Sequence, residues 1–345
     1  MVRHVSFKTS GDLKAFIIKE VPKSMYYSVA YYNEPTYKMQ EKGLKGADLV
    51  FDIDCDDMNL KCKKEHDIWT CSECKNIGTG NRPKKCNSCS GERISQLNLS
   101  CEKCLDASKI EIIKLLDLLY EDFGLSSNEI KTYFSGNMGY HLSIEGSILE
   151  EVNQMGRIEI SDYVTGKTLK PETIGFFQGI SPEEILSRLP TINDVGRRKR
   201  VIEIFSKKLK IKYSEDNDSE FKKEIINVFY RKKYHKFNKL FFDTLSNMNP
   251  NIDTTVTTDI HRIFRLPGTL HGDTGLIKAK VENIDKFNPL EDAVVFGEDL
   301  VEIYVEAVPK FKLKGQVFGK YRSQKVKLPL MAAVYLLSLN VAKLV

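Results

Sequence analysis

The sequence predicts an α/β fold that carries a metal-stapled insertion. Three observations lead there. Strand-like alternation and helical stripes succeed one another in the first and last thirds, a cysteine-dense segment interrupts the first third, and the middle is helical and basic. With 345 residues the chain can bury a substantial core, as two or three domains or as one large α/β domain with insertions. The shifts in pattern predict a core in three parts (1–60, 106–150 and 249–345), an insertion over 61–105, and a helical basic subdomain over 151–248.

Val5 and Phe7 alternate as in a strand, Leu13, Phe16, Ile17 and Val21 recur at helical spacing, and Tyr27, Val29 and Tyr31 alternate again. An apolar run through Ala47, Leu49, Val50 and Phe51 then reads as a buried strand ending in Asp52 and Asp54. After the cysteines a helix is expected from Ala107, with Ile110, Ile113, Leu116, Leu119, Tyr120 and Phe123 as its stripe and Gly124 as its stop. "KTYFSGNMGYHLSI" reads as strand, turn, strand. Residues 150 to 248 are more helical, with a polar loop over Ser214 to Glu220. In the last third Asp253 precedes a helix expected to carry Ile260, Ile263 and Phe264 on one side and Arg262 and Arg265 on another, ended by Pro267 and Gly268.

Net charge is +5, with Lys and Arg clustered over 197 to 212 and 222 to 239, which permits a polyanionic partner. Met1 to Phe7 is polar and basic with no apolar run behind it, so no secretory signal is expected. The apolar tail from Leu328 to Val345 is broken by Pro329, Ser338, Asn340 and Lys343, which favours a core helix over a membrane span. Seven of the eight cysteines fall between Cys62 and Cys104, mostly as Cys-x-x-Cys pairs, which is metal spacing in a reducing compartment such as the cytoplasm.

Asp52 and Asp54, two residues apart on a strand, point to one face. A lone Asp-x-Asp more often ends a strand as a turn acid beside a solvated one. Here the apolar run suggests a central strand, where paired carboxylates are costly unless a cation lies between them, and Mg²⁺ or Mn²⁺ suits such oxygens. Asp253 is a candidate third ligand. Cys62, His66, Cys71, Cys74, Cys86, Cys89, Cys101 and Cys104 make eight donors, enough for two closed tetrahedral zinc sites. Spacing leaves the pairing open: sequential sites compete with a nested arrangement in which Cys71, Cys74, Cys86 and Cys89 form a ribbon inside a site made by Cys62, His66, Cys101 and Cys104. "SGNMGYH" offers Ser135, amides freed by Gly136 and Gly139, and His141 as a phosphate cradle, though a hairpin turn has the same look. "RIFRLPGTLHG" adds Arg262, Arg265 and His271.

In that order, "FDID", "YFSGNMGYHLSI" and "NIDTTVTTDIHRIFRLPGTLHGDTGL", with zinc-type cysteines after the first, resemble the catalytic small subunit of archaeal and eukaryotic DNA primase. "RHVSF" and "LPLMAAVYLL" resemble archaeal members, so the likeness covers most of the chain and is weakest from about 150 to 248. The resemblance implies the primase catalytic fold, with a mixed or antiparallel sheet bearing the acids. It also implies template-directed primer synthesis on single-stranded DNA for replication, by two-metal nucleotidyl transfer from nucleoside triphosphates with release of pyrophosphate. An additional DNA polymerase activity and a heterodimer with an iron-sulfur large subunit belong to the same expectation. Asp52, Asp54 and Asp253 match the family's metal-binding acids. Ser135 and His141 match its Ser-Gly-x-x-Gly-x-His motif, and Arg265 and His271 match phosphate-facing positions. Cys62, His66, Cys101 and Cys104 match the family zinc site, which favours the nested pairing.

Two departures accompany the likeness. Met138 stands where members usually carry Arg, so one phosphate contact is missing or comes from another basic residue such as Arg262. The helical segment and the Arg-Glu-aromatic motif that usually precede the strand starting at Arg3 are not seen, as if this chain began downstream of the usual start. The alternatives are a stand-alone primase-polymerase of a mobile element and a non-catalytic zinc-dependent nucleic-acid-binding protein.

Overall fold

Thr9 starts α1 (Ser10–Glu20): its hydroxyl accepts from the Asp12 N–H and the Asp12 carboxylate accepts from the Thr9 N–H, a reciprocal cap. The computed structural model describes residues 2–191, 193–210, 217–231 and 234–345. Contrary to expectation, Val5 and Phe7 form no strand, and Phe7 packs its ring on Phe16 at 5.3 Å. The alternating stretch after α1 is two strands rather than one, β1 (Tyr26–Ser28) and β2 (Ala30–Tyr32), because each pairs elsewhere. β2 takes β3 (Leu44–Ala47) as partner, and β4 (Leu49–Asp54) follows with Leu49, Val50, Phe51 and Ile53 fully buried.

The insertion comprises α2 (Lys63–His66), β5 (Ile68–Cys71), β6 (Ile77–Thr79) and β7 (Ile94–Leu97), a three-stranded antiparallel sheet in the order β6-β5-β7. Its buried cluster consists of Trp69, Ile94, Cys71 and Cys86, too small to hold a fold without further cross-links. Helix α3 (Glu102–Glu121) starts a turn earlier than the pattern from Ala107 implied. Its buried face runs through Leu105, Ser108, Ile112, Leu115 and Leu119, while Ile110, expected inside, is 56 % exposed.

β8 (Ile130–Phe134) and β9 (Gly139–Ile144) form the expected hairpin, and β9 pairs on its other side with β4. The helices α4 (Gln154–Thr165), α5 (Pro182–Arg188), α6 (Gly196–Leu209), α7 (Asp218–Arg231) and α8 (Tyr234–Met248) follow. Residues 111–127 and 158–251 form one unit of the chain, whose core is aromatic: Phe176, Phe221, Phe229, Phe237 and Phe241 close on Ile174, Ile185 and Val201. The stretch read as a polar loop is helical from Asp218, and residues 214–216 lie outside the described residues. Part of the basic run serves this unit internally. The buried Arg197 donates to Asn249 and to the Val164 carbonyl, and Arg200 ion-pairs with Asp122 at 2.9 Å.

The other unit holds residues 1–110, 128–157 and 252–345. In it α9 (Thr254–Thr258) is capped by Asp253 and stops before His261. The helix expected over Ile260 to Arg265 is instead β10 (Ile263–Arg265), paired antiparallel with β1 so that Arg265 lies opposite Tyr26. A short apolar segment satisfies either period, and the free edge of β1 decides in favour of strand. β11 (Ala279–Lys280) then adds to β8, completing a four-stranded antiparallel sheet in the order β11-β8-β9-β4. The chain closes with α10 (Pro289–Asp292), β12 (Leu300–Val308), β13 (Phe311–Leu313), β14 (Gln316–Phe318), β15 (Tyr321–Pro329), α11 (Leu330–Ser338) and β16 (Ala342–Leu344). β15, β12 and β16 form an antiparallel sheet, and α11 buries Met331, Ala332, Ala333, Tyr335 and Leu336 as the core helix expected of this tail. No helix among the described residues is long and apolar enough to cross a membrane.

Candidate active site and metal centres

The pairing register of the four-stranded sheet sets which residues share a face. Asp52 lies opposite His141, His141 opposite Tyr133, and Tyr133 opposite Lys280; one row up, Asp54 lies opposite Gly139. Because alternate residues face the same way, these side chains line one face, while Phe51, Ile53, Tyr140, Leu142 and Phe134 are buried on the other. Gly139 makes room for this arrangement. A Cβ there would lie 1.8 Å from the Ile53 carbonyl oxygen and 2.6 Å from the Asp54 carboxylate.

Asp52 Oδ1 and Asp54 Oδ1 are both buried with no hydrogen-bond partner among the described residues. Burial pushes both carboxyls above the usual range, reinforced for Asp52 by Asp54 and Asp253, and for Asp54 by Asp57, Asp56 and Asp253. His141 Nε2 lies 3.4 Å from Asp52 Oδ1, and burial, with Lys278 and Arg265 nearby, keeps that imidazole neutral. Asp253 joins the pair through its backbone, its N–H donating to the Asp52 carbonyl at 2.9 Å, while its Oδ1 accepts from the Thr255 N–H and hydroxyl. Unpartnered hard oxygens held together at such cost are what a divalent cation needs.

Around the acids the structure gathers the other expected residues. The buried Arg265 donates to the Leu270 carbonyl at 2.9 Å, to Ser24 Oγ at 3.3 Å and to the Tyr26 hydroxyl at 3.0 Å. His271 packs close to Gly136, and burial with Arg265 lowers its pKa to about 4. The positive charge of Arg262 opposes the upward shift of Asp52. The Ser135 turn differs from the expected open cradle: Ser135 Oγ itself accepts from the N–H groups of Asn137 and Gly139, each at 3.3 Å. Met138 points to the opposite side of the hairpin, buried among Cys55, Cys104, Met58 and Leu60, so its side chain is directed at the cysteines and away from the acids.

The eight cysteine and histidine donors fall into two groups, Cys62, His66, Cys101 and Cys104 in one and Cys71, Cys74, Cys86 and Cys89 in the other, each with its atoms within 4.8 Å of one another. This is the nested arrangement. Both sets suit zinc: four soft or borderline donors each, with Cys104 Sγ 3.2 Å from His66 Nε2 and the Asp67 carboxylate 2.9 Å from His66 Nδ1, where it orients the ring. Ser108 donates its hydroxyl to the carbonyls of Met138 and Cys104, and the Cys55 N–H donates to the Met138 carbonyl. The first cysteine group is thereby tied to the turn that carries Ser135 and to the end of the acid-bearing strand.

Two features escaped the sequence. Arg157, fully buried, donates to the carbonyls of Ala47, Asp48 and Val152 and braces the entry to β4. Lys278, also buried, has its ammonium among the rings of Tyr27, Tyr133 and Phe264. Neither belongs to a motif, and single basic residues in apolar surroundings give no periodic signal.

A family model described as DNA primase small subunit matches residues 90–282. The chain is 35 % identical over 342 residues to the DNA primase small subunit PriS of Nitrosopumilus maritimus (strain SCM1), covering 99 % of this chain and 88 % of that relative. It is 32 % identical over 356 residues to the protein of that name from Cenarchaeum symbiosum (strain A), with 99 % and 88 % covered. The corresponding protein of Archaeoglobus fulgidus is 32 % identical over 338 residues, with 98 % and 84 % covered.

Proposed function

This chain belongs to the DNA primase small subunit family, and from that premise we propose that it is the catalytic subunit of a DNA primase, joining nucleotides into short primers on single-stranded DNA. The observation that carries the reading is the pair of buried, unpartnered oxygens of Asp52 and Asp54 on one sheet face, with Asp253 tethered beside them. Mg²⁺ or Mn²⁺ bound there supplies charge neutralisation and Lewis acidity at the attacking 3′-hydroxyl and the α-phosphate.

The chain's own residues supply position and charge. Asp52, Asp54 and Asp253 present hard carboxylate oxygens. Arg265 and Arg262 offer fixed positive charge to the β- and γ-phosphates, and Arg265 is held by Ser24, Tyr26 and Leu270 before any ligand arrives, so little side-chain entropy is lost on binding. His141 and His271 are neutral imidazoles whose N–H donates to phosphate oxygens, beside Ser135. The two cysteine groups hold zinc as closed structural sites, without an open position for chemistry. A large primase subunit is the expected protein partner.

The test is primer synthesis on single-stranded DNA with Mg²⁺ or Mn²⁺ and labelled nucleotides, by the chain alone and with its large subunit, comparing the parent with Asp54→Asn. Synthesis by the parent that the folded variant loses is the expected result. Normal synthesis by a folded Asp54→Asn protein would sink the assignment.

A further inference from the structure

Lys278 immediately precedes β11, the edge strand of the acid-bearing sheet. It is 1 % exposed, yet among the described residues its ammonium has neither a carboxylate within ion-pairing distance nor a hydrogen-bond acceptor. Three rings enclose it instead: Nζ lies 4.8 Å from the centroid of Tyr133, 5.0 Å from that of Phe264 and 5.4 Å from that of Tyr27. Cation–π attraction offsets part of the desolvation, but an apolar side chain would fill the same space at lower cost. Burial pulls its pKa down to about 7 against the pull of Asp52, and a basic group kept in such a place calls for an electrostatic use.

The surroundings indicate the use. The Lys278 N–H donates to the Thr269 carbonyl at 2.9 Å, and the Lys278 carbonyl accepts from Gly268 at 2.8 Å, so its backbone is fixed by the loop between Arg265 and His271. Extending the β11–β8 register by one residue sets Lys278 opposite Ser135. Of its three rings, Phe264 lies on the His141 imidazole at 4.4 Å between centroids, and Tyr133 is the cross-strand partner of His141. The charge of Lys278 reaches Asp52 as well as His141.

We propose that Lys278 is a positioning residue for the nucleotide's phosphates: its caged side chain fixes Phe264 against His141 and adds positive charge to the side of the site where the triphosphate lies. The inference rests on the primase reading. It also gives this chain an internal cation beside the hairpin whose turn carries Met138 in place of a basic residue.

The test is calorimetric binding of a Mg²⁺-nucleoside triphosphate to the full chain, together with KM and kcat for primer synthesis, for Lys278→Met, Lys278→Arg, Phe264→Leu and the Lys278→Met/Phe264→Leu double variant. Thermal unfolding checks that each is folded, and Lys278→Gln replaces Lys278→Met if that variant is not. Expected for Lys278→Met are an affinity about tenfold lower and a KM about tenfold higher with kcat within about threefold of the parent, and for Lys278→Arg near-parent affinity. The double variant should lose less than the product of the single losses, because the two side chains act together. Parent affinity in Lys278→Met, equal weakening in Lys278→Met and Lys278→Arg, or strict additivity in the cycle overturns the proposal. A parent that binds no triphosphate overturns the primase reading itself, a result visible before any Lys278 variant is compared.

Discussion

Asp253 donates its backbone N–H to the carbonyl oxygen of Asp52 at 2.9 Å, so an acid from the last third of the chain is fixed by a main-chain bond beside two from the first. A side-chain contact could be lost to a rotamer change. A backbone bond keeps the main chain of Asp253 beside that of Asp52, and the burial of Asp52 and Asp54 makes the metal-free site a store of unfavourable charge.

That store sets a pH dependence. The folded-state pKa values of Asp52 and Asp54 are raised by burial, so their contribution to stability is fully present below the ordinary carboxylate range and is lost as pH rises through the raised values. In the absence of divalent metal, Asp52→Asn should therefore melt above the parent at pH 8, by roughly 3–6 °C, with the gap closing towards pH 4. Calorimetric melting across pH in a chelator measures this, and added Mg²⁺ or Mn²⁺ should stabilise the parent more than the variant. A parent that melts higher than Asp52→Asn at pH 8 without metal would count against a strained acid pair.

The two cysteine groups should lose metal independently. Cys101→Ser and Cys86→Ser are each expected to lower the bound zinc by about one ion per chain. Only Cys101→Ser should also disturb nucleotide binding, because Cys104, Met138 and Cys55 link that group to the Ser135 turn. Metal analysis by mass spectrometry, paired with nucleotide titration, separates the two. Loss of both ions from either single variant would show a shared cluster rather than two sites.

Gly139→Ala tests the packing beneath the acids. Its new Cβ would overlap the Ile53 carbonyl and press on the Asp54 carboxylate, so the β4–β9 pairing must open locally, at a cost of about 3 kcal/mol. Urea unfolding should show that loss, and primer synthesis should fall further than the folded fraction does. Parent-like stability would mean that the two strands have more room than this register allows.

Arg157→Met removes the guanidinium that serves three backbone carbonyls and leaves them buried without donors. The expected cost is about 3 kcal/mol, read by urea unfolding, with kcat per folded molecule close to the parent's because Arg157 braces the start of β4 and not its acid-bearing end. A large fall in kcat with unchanged stability would place Arg157 in the reaction instead.

The sequence by itself determined the elements whose signals are local. The apolar run into Asp52 and Asp54, the "SGNMG" hairpin and the dense cysteine spacing each depend on residues near one another, and each is present, although β4, expected to be central, is the outermost strand of its sheet. What required partners distant in the chain was decided only by the tertiary structure. Ile263–Arg265 became a strand because β1 offered an edge, Val5 and Phe7 did not because no edge met them, and the buried face of α3 was set by what covers it rather than by its own stripe. The same holds for the site. Chemistry-bearing residue types announced Asp52, Asp54, His141, Arg265 and His271, but the common face of Asp52, Asp54 and His141 follows from strand register, Arg265 arrives on β10 of another sheet, and Lys278 acquires its surroundings only when Tyr27, Tyr133 and Phe264 close around it. Periodicity records how a residue relates to its neighbours in the chain; burial, desolvation and charge depend on neighbours in space, and those exist only once the sheet has formed.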